Sequence, residues 1–574
     1  MYISNVHIEN FRNFTAIDVP LKPFSILIGK NDAGKSNLID VINIPLYNSR
    51  GNYYAKSLSK YDFNHAVVFE FQKTMQRVYA ELSGNFSADS YVDAIMRNAP
   101  VAIIRLRFCD AKTIYEQSLL REWLNGDENE QYFEIEFKYH IKNRGKVKKR
   151  IEELVEHDLL NTCHANFELF LEYYDYDLVS TNNDKSIDYT KIKNFVANTI
   201  SAERDSFSSG ETAMSTRTIA RIIDSSLDAK DRTNLIERYN IFFDDIQGLN
   251  SFRSIYKDIT DQNETIAKFI EEIKLAPNAK KYRDILENIT LSYGNDMLFQ
   301  RGLGTRNLIL MLTLYSYFLS DKCERYNMVC IEEPESHLDI NSLKVALEFF
   351  EKSKNRNSLV QLLISTHSNQ ILNKLALSNV TLIADNHTAI NMDDVDDDLT
   401  YYLAKRENFD TLNMLFASRV ILVEGATEEI YLNCLLQNQR INNVRVISIG
   451  QKGFKMFIEI WKQFHTEGTP DKLGIIRDYD YQNRAKAEHE AYNSDSIHVE
   501  TASGKEFERD FVEQGNNLSM LNTLFSIHVD ADGMYEYMTS DKLNCILSVC
   551  RAIEAGTLFD VPTYINTLLE WIKI

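Results

Sequence analysis

Hydrophobic and polar residues alternate along positions 101–108, 132–140 and 166–174, the two-residue period of strands that bury one face. Short apolar runs at 24–28, 328–331 and 362–364 read as strands covered on both sides. Positions 218–227, 231–243, 262–273 and 279–286 instead carry apolar residues at helical spacing with polar faces between. The chain therefore divides by pattern. Residues 1–206 predict mainly strands and connecting loops, 207–282 a helical insertion, and 283–402 alternating strands and helices. A polar, acidic stretch at 391–398 marks a boundary loop, and a second α/β pattern opens near Leu412 and runs through the remainder, 403–574. No internal repeat or low-complexity segment interrupts this order.

A length of 574 residues allows two to four domains. An apolar share of 44% and a charged share of 25% are those of an ordinary globular protein. No apolar run approaches the ~18 residues of a membrane span. Met1-Tyr2-Ile3-Ser4 enters a strand pattern directly, without a signal-peptide layout. The seven cysteines form no CxxC pair, which predicts neither a disulfide framework nor a zinc site and fits a reducing cytoplasm. A net charge of −20 argues against indiscriminate nucleic-acid binding, yet is compatible with a nuclease whose acidic residues gather around metal ions. The basic runs at 142–150 and 280–283 read as solvated loops.

Gly29-Lys30-Asn31-Asp32-Ala33-Gly34-Lys35-Ser36 matches GxxxxGK[ST] between a predicted strand and a predicted helix. Its glycines let successive backbone N–H groups approach nucleotide phosphates. Lys35 would reach the β/γ-phosphates and Ser36 would ligate Mg²⁺, with Gly29, Asn31, Gly34 and Asn37 completing the ATP-binding set. The strand at 328–331 ends in Glu332 and Glu333, one carboxylate for the metal shell and one to act as general base on an attacking water. Gly302 and Gly304 open a helical run at 307–318, a start able to hold the γ-phosphate of a nucleotide on a facing protomer. His367 ends the strand at 362–366, placed to sense a γ-phosphate. Taken singly, the two glutamates could begin a loop before Pro334 and His367 could cap a strand.

Taken in order, these elements resemble the ABC-type ATPase head of SMC and RecF proteins, and Ile8-Glu9-Asn10-Phe11-Arg12-Asn13-Phe14 looks like that group's opening strand. The resemblance implies that residues 335–339 form the D-loop, that His367 is the switch histidine, and that two heads bury ATP between them. The stretch around Gly302 and Gly304 departs from LSGGQ, and Gln72 is only a candidate for the Q-loop glutamine.

Later, the apolar run ending at Val423 delivers Glu424-Gly425 and then Glu428, and the run 473–477 delivers Asp478-Tyr479-Asp480. In an extended segment Asp478 and Asp480 face the same way. With Glu424 they form a hard oxygen set suited to Mg²⁺ or Mn²⁺. This ordered pair resembles the Toprim domain, and Gly450 and Gly453 after a third strand fit its glycine-bearing turn. An ABC-type head followed by Toprim resembles the OLD (overcoming lysogenisation defect) nucleases. That resemblance implies an α/β chain: a split ATPase domain at 1–206 and 283–402, an insertion at 207–282 that serves dimerisation, and a Toprim nuclease domain with a helical C-terminal part at 403–574. It further implies that Glu508 and Asp510 join Glu424, Glu428, Asp478 and Asp480 as metal ligands, with Glu424 and Asp478 catalytic, and that Lys542 is a catalytic cation. Similarity to the subgroup of the Gabija anti-phage system implies a homodimer or homotetramer, DNA as substrate, and a UvrD-like helicase as partner. The rivals are a RecF- or SMC-like ATPase that clamps DNA without cutting it, a topoisomerase and a primase. Whether ATP is hydrolysed or only sensed stays open.

Overall fold

The structure, a computed structural model, describes the chain apart from residues 30–32, 49–56, 83–85, 127–130, 158, 161–165, 201–222, 225–226, 250–285, 287–291, 298–299, 320–324, 354–356, 369–370, 372–378, 385–387, 392–413, 415–416, 451–453, 466–469, 480, 482 and 574. The chain forms two compact units. One comprises Met1–Thr199, Glu324–Glu333 and Leu347–Ile574, the other Ile200–Cys323 and Pro334–Ala346. No helix among the described residues is long and apolar enough to cross a membrane.

Among the described residues, the first unit contains three sheets. In the seven-stranded one, Phe24–Gly29 lies between Val380–Ile383 and Val360–Thr366, parallel to both, and Val360–Thr366 in turn pairs in parallel with Tyr326–Glu332. The sheet continues through Phe195–Ile200 to Tyr47–Asn48 and ends on its other side at Ala389–Asn391. Every residue of Phe24–Gly29 and Val360–Thr366 is buried, as unbroken apolar runs require of strands covered on both faces. The second sheet is antiparallel and orders Phe14–Pro20, Tyr2–Phe11, Ala102–Cys109, Gln131–Ile141 and Leu124–Gly126, with Tyr174–Ser180 also on Gln131–Ile141. One apolar core joins the two, from Ile3, Val6 and Ile8 to Leu27, Ile39, Met328 and Leu363. Gln361 ties them further, its Oε1 accepting from Ile3 N at 2.7 Å and its Nε2 donating to the carbonyls of Ile3 and Lys22 at 2.9 and 2.8 Å.

Four expectations for this region are corrected. Residues 1–206 are not mainly strands, because His65–Leu82, Ala88–Asn98 and Arg144–Glu156 are helices. Residues 166–173 form no strand, which begins only at Tyr174: Asn166 accepts from Glu168 N and opens a 3₁₀ helix, Phe167–Tyr173, that buries Phe167 and Phe170. Three-residue spacing of those rings suits a three-residue turn as well as the alternation suits a strand. The basic run at 142–150 is not a loop. Asn143 caps the Arg144–Glu156 helix, and Arg144 and Lys148 pair with Asp89, Arg144 also with Asp93. Gln72 lies within the His65–Leu82 helix rather than in a loop. The basic run 280–283 lies outside the described residues.

The third sheet is fully parallel and orders Arg445–Ser448, Arg419–Val423, Lys472–Arg477 and Ile497–Thr501. Its core is built by Ile421, Val423 and Ile476 with Tyr431, Phe507, Phe511, Ile546 and Leu568 from the following helices. Those helices are Ala426–Asn438, Phe507–Glu513, Asn517–Phe525, Ala531–Ser540, Lys542–Glu554 and Thr563–Lys573.

The second unit holds the Ala229–Gly248 helix, capped by Asp228, a two-stranded hairpin of Ser292–Tyr293 with Asp296–Met297, and the Leu303–Leu319 helix. Of the expected insertion helices, the one at 231–243 is present within Ala229–Gly248, whereas 262–273 lies outside the described residues, as do 218–227 and 279–286 apart from isolated positions.

Candidate nucleotide and metal sites

The P-loop strand ends at Gly29, and the chain re-enters through Ala33 and Gly34 into the Lys35–Asn43 helix. Gly34 has φ +106, where an L side chain is strained, and an added Cβ would sit 2.4 Å from Phe14 Cζ and 2.6 Å from Asn13 Nδ2. The turn is thus pressed against the opening strands. Asn13 Nδ2 donates to Ala33 O at 3.2 Å, Asn37 Nδ2 donates to Asn13 Oδ1 at 2.7 Å, and Arg12 Nη1 donates to Asn37 Oδ1 at 2.8 Å. Arg12 also pairs with Asp40 and Asp62, whose carboxylates hold its guanidinium charge against partial burial. Their place in the opening-strand motif gives Arg12 and Asn13 no site role by itself. Their structural task, bracing the loop, became visible only once Tyr2–Phe11 and Phe14–Pro20 were paired beside it. Lys35 is buried and its Nζ donates to Gly29 O at 2.7 Å. Ser36 is exposed at the helix start. Asn31 lies outside the described residues.

Glu332 stands at the end of its strand, in register with Ser365 on the neighbouring strand, which is itself in register with Leu27 of the P-loop strand. Glu333 turns sharply at φ +41, with its N–H donating to Ser365 O at 2.8 Å. His367 Nδ1 lies 3.4 Å from Glu333 Oε1. The strand carrying His367 is inserted between the P-loop strand and the glutamate strand, which brings the candidate base and the candidate sensor together. Within the second unit, Gly304 meets the turn that follows Pro334: an added Cβ would lie 2.6 Å from His337 O. Glycine is required there by close backbone approach. Asp339 caps the Ile340–Ser353 helix instead of projecting freely, accepting from Ser342 Oγ at 2.6 Å and from the N–H groups of Asn341 and Ser342.

In the third sheet, Arg419–Val423 and Lys472–Arg477 run parallel with Leu422 opposite Ile475, so their next residues emerge side by side. Asp478 N donates to Glu424 Oε1 at 3.2 Å, and Asp478 Oδ1 accepts from Phe507 N at 3.2 Å. Glu428, one turn into the Ala426–Asn438 helix, is buried, as is Glu508. Thr427 Oγ1 links them, 3.0 Å from Glu428 Oε2 and 3.4 Å from Glu508 Oε1. Burial first, then the charges of Glu428, Glu424, Glu508 and Glu506, push Asp478 up to about 8. Burial and the charge of Glu508 also raise Glu428. Lys542 faces this group, its Nζ 2.6 Å from Glu506 Oε2 and 3.0 Å from Glu508 Oε2. Burial opposes its charge, and the two carboxylates outweigh that opposition.

Asp510 is not drawn into the same hydrogen-bonded group. Its two oxygens accept from Ser503 N and Gly504 N, both at 2.6 Å, and close that turn, while burial raises its carboxyl. Asp480 and Gly453 lie outside the described residues, and Gly450 donates its N–H to Glu424 O at 3.0 Å. Sequence reasoning missed Thr427 and Glu506. For Glu506 a signal existed, two residues before Glu508; for Thr427 there was none.

The acids of this group offer carboxylate oxygens, which suit a hard divalent cation, and Asp478, raised first by burial and then by the neighbouring glutamates, lies where such a cation would be favoured. Among the described residues no three of His, Cys, Asp or Glu already stand close enough to hold an ion.

The P-loop, the paired glutamates and His367 all fall within residues 1–372, which match the AAA ATPase domain. The chain belongs to that ATPase family. Residues 415–480, which carry Glu424, Glu428 and Asp478, match the TOPRIM domain of overcoming lysogenization defect protein-like sequences. The chain is 22% identical over 534 residues to "Endonuclease GajA" of Bacillus cereus strain HuB5-5, covering 78% of this chain and 72% of that protein. It is 22% identical over 490 residues to "Endonuclease GajA" of Bacillus cereus strain VD045, covering 80% and 72%. Among solved structures it is similar to the SMC head domain from Thermotoga maritima, with 10% identity, TM-score 0.26, and coverage of 67% of this chain and 94% of that one. It is also similar to the recombination mediator RecF–ATPrS of the RecFOR pathway, with 11% identity, TM-score 0.32, and coverage of 68% and 98%. An AAA ATPase domain followed by an OLD-like Toprim domain, with low but consistent similarity to GajA across the chain, is the architecture expected from the motifs.

Proposed function

We propose that this ATPase is a nucleotide-regulated, divalent-metal-dependent DNA endonuclease, nicking or cleaving its substrate in cytoplasmic anti-phage defence. The observation that supports it most is the parallel register that sets Glu424 beside Asp478, with Glu428, Glu508 and Lys542 gathered around them. The names of the two GajA relatives point the same way. Glu424, Glu428, Asp478, Asp480, Glu508 and Asp510 would share the Mg²⁺ or Mn²⁺, and Ser36 and Glu332 would hold the Mg²⁺ of ATP. When bound, a divalent ion at the Toprim site supplies Lewis-acid activation of water and of the scissile phosphate. The chain's own part is to orient that site, whose gathered carboxylates would repel a phosphate until the ion is bound. Lys542 offers a positive charge where the phosphate and the departing oxygen gain negative charge. In the head, Gly29, Asn31, Gly34, Lys35 and Asn37 cradle the nucleotide, Glu333 orients water beside His367, and Gly304 serves a facing protomer. Homodimer or homotetramer assembly through 207–282, and a UvrD-like helicase partner, complete the reading.

The test is plasmid incubation with Mg²⁺ or Mn²⁺, with and without ATP. Wild type is expected to nick or linearise, Glu424→Ala to lose all breaks, and Lys35→Ala to cut without responding to ATP. Breaks retained by Glu424→Ala, or ATP-dependent DNA binding with intact plasmid in wild type, reject the nuclease.

A further inference from the structure

The catalytic lysine of that reading is held by a clamp outside the carboxylate group itself. Lys542 is the first residue of the Lys542–Glu554 helix, capped by Asp541. A cation there opposes the helix dipole and needs an anion to stay in place. Glu508 supplies one, but Glu508 alone would draw the ammonium inward and neutralise a metal ligand. Glu506 gives it a second acceptor: Lys542 Nζ is 2.6 Å from Glu506 Oε2 and 3.0 Å from Glu508 Oε2. The other oxygen of Glu506, Oε1, accepts the hydroxyl of Tyr535.

Two local features are otherwise unexplained. Glu506 occupies the cap position of the Phe507–Glu513 helix yet makes no side-chain capping bond, at a place where Ser, Thr, Asp or Asn would serve the helix better. Tyr535 is held in place from behind, with the Arg509 guanidinium 5.5 Å from its ring centroid and Arg509 Nη1 donating to Asp532 Oδ1 at 2.5 Å, which joins the Ala531–Ser540 and Phe507–Glu513 helices. The line Tyr535–Glu506–Lys542 is therefore anchored on packed helices at one end. At the other it meets Glu508 and, through Thr427, Glu428.

We propose that Glu506 and Tyr535 are positioning residues that hold the Lys542 ammonium at the rim of the Toprim carboxylates, facing the position of a DNA phosphate. A lysine has a long flexible stem, and two fixed acceptors select one direction for it. The inference rests on the nuclease reading, and its test separates the two.

Wild type, Glu506→Gln, Glu506→Asp, Tyr535→Phe and Lys542→Ala are compared as full chains in two assays. In EDTA, acetylation of Lys542 by acetic anhydride is followed by peptide mass spectrometry against other lysines. Labelling in Glu506→Gln is expected to rise several-fold, and in Tyr535→Phe by about twofold, with melting temperatures near wild type. In Mg²⁺, plasmid cutting by Glu506→Gln is expected to lose about 10–100-fold in kcat with KM for DNA unchanged, as loss of a supporting partner does. Tyr535→Phe loses less, and Glu506→Asp recovers part. A purely structural ion pair would lower the melting temperature and leave kcat per folded molecule intact, which overturns the proposal. So would wild-type cutting and labelling in both Glu506→Gln and Tyr535→Phe while Lys542→Ala is dead, an outcome that leaves the nuclease standing. Intact plasmid with wild type under either metal removes the nuclease and this inference together.

Discussion

Replacing Asp478 by Asn should stabilise the metal-free protein while abolishing cleavage. Asp478 accepts from Phe507 N through Oδ1, a bond an amide oxygen keeps, so the substitution removes charge more than structure. Burial and four neighbouring glutamates raise its carboxyl from 3.8 to about 8. Borne by one group alone, that rise corresponds to about 6 kcal/mol. Glu424, Glu428 and Glu508 share the field and relax when one member is neutralised, so ~1–3 kcal/mol is the expected gain from Asp478→Asn. The sign follows from the raised carboxyl. The folded state binds a proton that the unfolded state has already lost, so this contribution is complete below about pH 4, shrinks as pH rises, and is gone above about 8. In EDTA, wild type should therefore melt lower at pH 8.5 than at pH 6. Asp478→Asn should melt ~1–3 °C above wild type at pH 8.5, and the difference should shrink at pH 5. Added Mg²⁺ should raise wild type and leave Asp478→Asn nearly unmoved. Thermal scans across pH, with and without metal, measure all of this. A lower melting temperature for Asp478→Asn at pH 8.5, or an unchanged pH slope, would refute the idea of an uncompensated carboxylate group.

Gly34→Ala should abolish nucleotide binding and lower the melting temperature, since its φ of +106 and a 2.4 Å approach to Phe14 leave no room for a methyl group; a fluorescent ATP analogue titrated into the variant reads the loss. Asn517→Ala should destabilise the core around the third sheet by ~2–4 kcal/mol, because fully buried Asn517 donates to the carbonyls of Phe511 and Asp560 at 2.8 Å each and accepts from Asp560 N at 2.8 Å; denaturant titration followed by hydrogen exchange in that core checks it.

Local pattern carried the α/β class, the P-loop in its strand–turn–helix setting, the glutamate strand and the two carboxylate-bearing strands, because each is a contiguous run whose period or spacing is set by backbone geometry alone. It failed where one pattern suits two structures. The rings at 167 and 170 serve a 3₁₀ helix as readily as a strand, and the charged residues at 144 and 148 look solvated until Asp89 and Asp93 arrive from another helix. Asp510 shows a further limit: both its oxygens accept from the backbone N–H groups of Ser503 and Gly504, a contact no spacing encodes. Which acids share one field, which arginine braces the phosphate loop, and which tyrosine backs the lysine depend on parallel register and helix docking between segments up to a hundred residues apart. Those are properties of packing, so only the folded chain could decide them; the residue types able to do the chemistry were already written along it.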